Sequence, residues 1–456
     1  MSPFDVLIIG AGQTAFPLAR SLTEAGRRVG LAERQHLGGS CVNFGCTPTK
    51  AALASAHLVH RARRAAAFGL RIPAVEVDFP AVLAAARGIA EEAREGLNRT
   101  AAGMDGLTLL RGHARFTGRD GDGFHLRVDD EAVTAAQVVV DTGTRTAVPP
   151  IEGLDGVPFL DAGNWLHRDE RPERLLIIGG GYVGLEMAQF YQRMGAEVDV
   201  VEGDGQVAGQ EDADVAEALQ ACLEAEGIRF HLRRKVQRVE RVGRAVRVGL
   251  AGEGREEVLQ VTHVFVAAGR QPNTGDLGLE TVGLTPNDDG TLPHDDRLAT
   301  PVKGVWAAGD VRGGPPFTHT AWDDHRILRS QLLGDGSRTC ARIVPYALFT
   351  DPNLGRVGMT ERQAREAGHA VRCATYPMDR NGRATEERAE GGFVKAVVDA
   401  GTDRILGAAV LADEGAELVH AYVALMNADA PYTALRDGLS IHPTRSEAVQ
   451  SVLREL

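Results

Sequence analysis

Two cysteines, Cys41 and Cys46, stand in the segment Gly38-Gly39-Ser40-Cys41-Val42-Asn43-Phe44-Gly45-Cys46-Thr47-Pro48-Thr49-Lys50. A C-x4-C pair has two uses. It could supply half of a zinc site, but zinc needs two further ligands, and no second Cys or His pair offers them convincingly. It could instead cycle between dithiol and disulfide. Residues five apart on a regular helix are separated by about 7.5 Å along the axis, whereas bonded cysteines keep their Cα atoms about 5.5–6 Å apart. A Cys41–Cys46 bond therefore requires a distorted helix, and Gly45 and the Thr47-Pro48 step supply the local freedom. In a reducing compartment such a bridge is catalytic rather than structural.

Two glycine clusters indicate what the sulfurs could exchange electrons with. Val6-Leu7-Ile8-Ile9 runs into Gly10-Ala11-Gly12-Gln13-Thr14-Ala15, and Leu175-Leu176-Ile177-Ile178 runs into Gly179-Gly180-Gly181-Tyr182-Val183-Gly184. Each fits G-x-G-x-x-G/A between a strand and a helix. Its small residues permit a tight turn, close approach of a pyrophosphate and helix–strand packing, and the helix N-terminus offers amide donors to the phosphates. Each has an acid for a ribose: Gly10 to Glu33 and Gly179 to Glu202 both span 23 residues. Glu202 accepts from ribose hydroxyls and repels a 2′-phosphate. No Lys or Arg occurs between Glu202 and Arg229, so NADH is expected over NADPH. A nucleotide at the first fingerprint, beside the cysteines, could be a flavin.

The elements that must position these groups follow from pattern. The two β-branched runs are wholly apolar, as strands covered on both faces are. Residues 51–100, rich in Ala, Arg and Glu, read as long helices, and residues 107–150 as short strands with Gly-Asp turns. Strands at 393–399 and 404–411, with helices at 361–367 and 414–428, suit an α+β unit. The expected fold class is α/β, with two Rossmann-like dinucleotide-binding domains and a C-terminal α+β domain. The expected boundaries are 1–148, with the cysteine pair, 149–270, 271–340 and 341–456; the family resemblance carried by the motifs below implies that these are the first part of the FAD domain, the NAD(P) domain, the second part of the FAD domain and the dimerisation domain. The 456 residues suit two to four domains. A net charge of -12 argues against nucleic acid or an anionic membrane as the main partner. There is no apolar run of about 18 residues and no basic leader at the start, and five cysteines make no disulfide framework. Cys222, Cys340 and Cys373 read as ordinary thiols, no metal site is expected, and a cytoplasmic location is.

These residues resemble the pyridine nucleotide-disulfide oxidoreductases, the family of dihydrolipoamide dehydrogenase, glutathione reductase and mercuric reductase. The resemblance spans the chain through ordered motifs. They are the first fingerprint, GGSCVNFGCTPTK, Thr142-Gly143-Thr144, GGGYVGLE, Ala268-Gly269-Arg270-Gln271-Pro272-Asn273, Trp306-Ala307-Ala308-Gly309-Asp310 and His442-Pro443-Thr444-Arg445-Ser446-Glu447. The wording around the cysteines, FTHTAWDD and FTDPNLGRVGMTE look closest to the mercuric reductase-like branch. The resemblance implies that Gly10, Gly12 and Glu33 hold the adenosine and pyrophosphate of FAD, with Ser40, Ala114, Thr142 and Gly143 alongside. Asp310 would bond the ribityl chain, and Phe317, Thr318 and His319 would line the flavin. Lys50 would lie near the flavin and pair with Glu186. Tyr182 would cover the ring until nicotinamide displaces it. Gly179, Gly181, Glu202, Val236 and Gly269 would line the NAD site. His442, oriented by Glu447, would reach across a homodimer into the partner's cysteine site.

The implied chemistry passes electrons from NADH through FAD to the disulfide. Cys46 stays against the flavin and Cys41 is released as the interchange thiol, its lowered pKa making it a nucleophile near neutral pH. His442 handles the proton. The chain departs from mercuric reductases in lacking a terminal cysteine pair and in having the His-Pro-Thr histidine; Hg(II) detoxification is not expected. Ser40 replaces a usual Thr and Phe44 a usual aliphatic. A disulfide or dithiol oxidoreductase resembling dihydrolipoamide dehydrogenase leads. A metal-ion (Hg(II) or Cu(II)) or quinone reductase is the alternative on the same scaffold. A flavoprotein subunit that mainly binds within a multienzyme complex is the alternative of another class.

Overall fold

The computed structural model describes residues 3–121, 123–252 and 254–456. Three large sheets organise it. In the first, strand Phe4–Ile9 lies between Val29–Glu33 and Glu131–Val140, parallel to both. Leu107–Arg111 extends one side, and the antiparallel pair Gly123–Val128 and Ala114–Asp120 extends the other. Val305–Ala307 returns much later in the chain to pair with Glu131–Val140. Leu7, Ile8, Val138 and Val139 are wholly buried, which is why these strands read as unbroken apolar runs.

The second sheet is five-stranded and parallel, in the order Arg229–His231, Glu197–Val201, Arg174–Ile178, His263–Val266, Leu160–Asp161. A three-stranded antiparallel ribbon spans residues 235–261. The third sheet is antiparallel throughout, in the order Tyr346–Leu348, Asn353–Gly358, Ile405–Ala412, Phe393–Asp399, Val371–Pro377. The mixed α/β class is as expected.

Residues 51–100 contain two helices, Cys46–Arg63 and Phe79–Ala102, separated by a short 3-10 turn, Ala65–Phe68. Asp78 caps the second, accepting from Ala81 N at 3.0 Å, with Pro80 in its first turn. The helix expected over 414–428 is broken into Gly415–Leu418 and His420–Asn427. Among the described residues, no helix is long and apolar enough to cross a membrane.

Candidate active site

The two fingerprint turns are built alike. Gly10 has φ +96 and Gly179 φ +113, and a Cβ at either would lie 2.3 or 2.4 Å from a carbonyl of the adjoining strand end, Asp141 O or Ala267 O. Only glycine fits there. Glu33 accepts from Ala11 N at 2.9 Å and Gln35 N at 2.7 Å; Glu202 accepts from Gly180 N at 2.7 Å and Asp204 N at 3.0 Å. Each carboxylate is thus locked to its own glycine turn and keeps lone pairs for a ribose.

A cavity of about 1220 Å³ joins the first turn to the cysteines. Of the residues singled out from sequence, its walls hold Gly10, Gly12, Glu33, Ser40, Cys41, Cys46, Lys50, Ala114, Thr142, Gly143, Gly181, Tyr182, Glu186, Gly269, Asp310, Phe317, Thr318 and His319. Gly179, Glu202, Val236, His442 and Glu447 are not among its walls. Val236 packs instead in the apolar core between the second sheet and the ribbon. The lining fits a flavin dinucleotide. Besides the glycine cradle, Asp141 is buried beside Gly12 with its Oδ2 unpartnered. Burial, reinforced by Asp324 and Asp310, holds its carboxyl well above the usual range.

The expected helix distortion is a break. Helix Gly39–Asn43 carries Cys41; Phe44 and Gly45 leave helical geometry, and a new helix starts at Cys46. Pro48 falls in its first turn, where a missing N–H is tolerated. The pair is in its dithiol form. A hydrogen bond between the sulfurs lowers the Cys46 thiol to about 6, against its burial, and Thr318 and Lys50 lower it further. Thr318 Oγ1 is 3.2 Å from the Cys46 sulfur. The same bond, with burial, pushes the Cys41 thiol up. In the dithiol these influences run against the expectation of a lowered pKa at Cys41: they lower Cys46 and raise Cys41. Lys50 Nζ donates to Glu186 Oε2 at 2.6 Å and lies 4.7 Å from the centre of the Phe349 ring. Phe349 N donates to Glu186 Oε1 at 2.9 Å.

Tyr182 opens the helix after the second fingerprint. Its ring is 5.5 Å from that of Tyr346, which stacks 5.2 Å from Phe317, itself 5.5 Å from His319. Both phenols donate to Glu211. Sequence spacing marks none of Asp141, Glu211, Tyr346 or Phe349, because the partners of Glu211 come from two other elements. The stretch after Glu202 also differs from its linear reading. The strand at Arg229–His231 pairs beside Glu197–Val201. It brings Arg233 and Lys235 next to the loop, so that a Cβ on Gly205 would lie 2.8 Å from Arg233 Nη2 and one on Gly203 3.4 Å from Lys235 Cε.

His442 Nδ1 is 3.1 Å from Glu447 Oε1, and Glu447 Oε2 accepts from Thr444 N at 2.9 Å. The Thr444 amide, then His442, hold the Glu447 carboxyl below its usual range. The His442 side chain is 78% exposed, follows exposed Leu439 and Ile441 in the chain, and lies outside the chain's own cavity.

Family models match almost all of this. One described as pyridine nucleotide-disulphide oxidoreductase covers residues 4–324, and one described as the dimerisation domain of those enzymes covers 344–453. Among similar proteins is the probable pyridine nucleotide-disulfide oxidoreductase RclA of Escherichia coli, 33% identical over 99% of both chains. A solved Cu(II) complex of that protein, described as an HOCl-induced flavoprotein disulfide reductase, covers 100% of both chains with a TM-score of 0.90. A mercuric reductase of Streptomyces lividans is 33% identical over 92% of this chain and 89% of its own. A dihydrolipoyl dehydrogenase of Cupriavidus necator is 32% identical over 98% and 96%. The dimerisation-domain match indicates a homodimer. The chain belongs to the pyridine nucleotide-disulfide oxidoreductases, enzymes that use FAD and NAD(P)H.

Proposed function

We propose that this enzyme uses NADH to reduce a disulfide-type acceptor through the Cys41–Cys46 pair. The observation that carries this reading is the placement of both cysteines in the wall of the dinucleotide cavity, with Thr318 Oγ1 3.2 Å from the Cys46 sulfur and the Lys50–Glu186 pair in the same wall. On this reading the chain divides at about residues 148, 270 and 340, as its motifs suggest. Gly10, Gly12, Glu33, Ser40, Ala114, Thr142, Gly143, Asp310, Phe317, Thr318 and His319 would hold FAD. The chemistry FAD supplies when bound is two-electron transfer between a nicotinamide and a sulfur. Gly179, Gly181, Glu202 and Gly269 would serve NADH, and Tyr182 would stand where the nicotinamide enters.

The chain's own groups do the rest. Cys41 loses its proton to His442 of the partner subunit and attacks the acceptor disulfide, forming a mixed disulfide and releasing one thiolate, which His442 protonates. The Cys46 thiolate then attacks the Cys41 sulfur, closing Cys41–Cys46 and releasing the second acceptor thiolate. Lys50, paired with Glu186, keeps a positive charge near the Cys46 thiolate. Glu447 orients His442. The exposed Leu439 and Ile441 beside His442 support a covered face there.

A second reading, Cu(II) as acceptor, is favoured by the Cu(II) complex of the similar RclA structure. Steady-state NADH oxidation with lipoamide, glutathione disulfide, Cu(II) and Hg(II) in turn ranks the acceptors. The shared site has its own test. Chains carrying Cys46→Ser are co-expressed with chains carrying His442→Ala. In a twofold dimer, random pairing restores about a quarter of wild-type disulfide turnover. No restoration would place His442 outside the partner's site.

A further inference from the structure

We propose that Glu211 is a positioning residue that latches Tyr182 in the closed position, through an oxygen it shares with Tyr346. The inference rests on the reading of Tyr182 as the residue at the nicotinamide entrance. Glu211 Oε1 accepts from Tyr182 at 3.0 Å and from Tyr346 at 2.8 Å. These phenols come from opposite sides of the site. Tyr182 heads the helix after the second fingerprint, and Tyr346 opens the edge strand of the C-terminal sheet. Burial and the Glu211 charge both push the Tyr182 phenol up, so it stays protonated and keeps donating.

The acceptor is fixed independently of the ring it holds. Glu211 Oε2 lies 3.6 Å from Arg356 Nε, with both side chains wholly buried, and none of the three Arg356 nitrogens has a hydrogen-bond partner among the described residues. Arg356 thus balances the charge of Glu211 while leaving Oε1 to the two phenols. The next residue, Asp212, accepts from Glu361 N at 2.9 Å and Arg362 N at 3.1 Å at the start of a C-terminal helix, and pairs with buried Lys395 at 3.2 Å. The Glu211–Asp212 step is therefore tied to the C-terminal sheet. When the Tyr182 ring swings away, its hydroxyl leaves the acceptor behind. That loss falls on the nicotinamide alone, since the adenosine half of the coenzyme does not need Tyr182 to move.

The test compares two ligands by calorimetric titration of the oxidised, FAD-loaded dimer: NAD⁺, which carries the nicotinamide, and ADP-ribose, which lacks it. Tyr182→Phe is expected to tighten NAD⁺ by about tenfold or more, the loss of one hydrogen bond to a charged acceptor, and to leave ADP-ribose unchanged. Glu211→Gln, a weaker acceptor, is expected to move NAD⁺ the same way, with no further change when added to Tyr182→Phe. If Glu211→Gln does not fold with Arg356 uncompensated, Tyr182→Phe carries the test, since it leaves the Glu211–Arg356 pair intact. Equal changes for both ligands, no change for NAD⁺, or independent effects of the two substitutions would overturn the latch alone. A wild-type dimer that binds neither ligand would overturn the nicotinamide site and the latch with it.

Discussion

Replacing Cys41 by Ala and by Ser separates proton sharing from the other influences on Cys46. In the dithiol, the hydrogen bond from Cys41 is the largest cause lowering Cys46 to about 6, ahead of Thr318 and Lys50. A hydrogen bond to a charged group is worth about 1.5–3 kcal/mol, or about one to two pKa units. Cys41→Ala should therefore raise Cys46 to about 7–8 and leave roughly 10–50% thiolate at pH 7. Cys41→Ser keeps an O–H donor and should leave Cys46 within about half a unit of the wild type. The assay is ultraviolet thiolate absorbance of the reduced protein against pH, repeated as the pH dependence of the long-wavelength band in the FAD-loaded enzyme. In the wild type the first titration step belongs to the pair rather than to one sulfur; in the variants it belongs to Cys46 alone. Identical curves for the Ala and Ser variants, or a first wild-type step above about pH 8, would refute the proton-sharing account.

Glu202→Ala should raise the NADPH:NADH ratio of kcat/KM by about tenfold or more, since it removes a repulsive charge and leaves Arg233 and Lys235 beside the loop; less than a twofold change would show that Glu202 does not discriminate. Arg193→Met should cost about 3–5 kcal/mol of stability in urea titration, because Arg193 is 2% exposed and binds Glu226 at 2.7 Å and Asp351 at 2.9 Å. A loss under about 1 kcal/mol would mean that the two carboxylates find other partners. Asp141 titrates well above its ordinary 3.8. Its stabilising contribution is full below the unfolded value and is lost as pH rises through the folded value. The stability of Asp141→Asn relative to wild type, measured on FAD-free protein, should therefore grow from pH 5 towards alkaline pH; a constant difference would count against a buried acid at that position.

The cysteine segment, both glycine turns and the three-sheet α/β architecture were legible in the amino-acid order. Their physics is local. A glycine with positive φ, an apolar run before it and an acid 23 residues on lie within one strand–helix–strand unit. That the helix must distort for a Cys41–Cys46 bond was legible for the same reason; that it breaks at Phe44–Gly45 was seen only in the fold. Three matters were settled by tertiary structure alone. The hydroxyl that helps stabilise the Cys46 sulfur is that of Thr318, 272 residues away. The cations near Glu202 come from beyond the neighbouring strand rather than from the intervening loop. Glu211 meets Tyr182 and Tyr346 only because two sheets converge on it. Sequence spacing carries interactions that close within one supersecondary unit. Charge balance in a buried site sums over every element packed against it, and that sum exists only once the chain is folded.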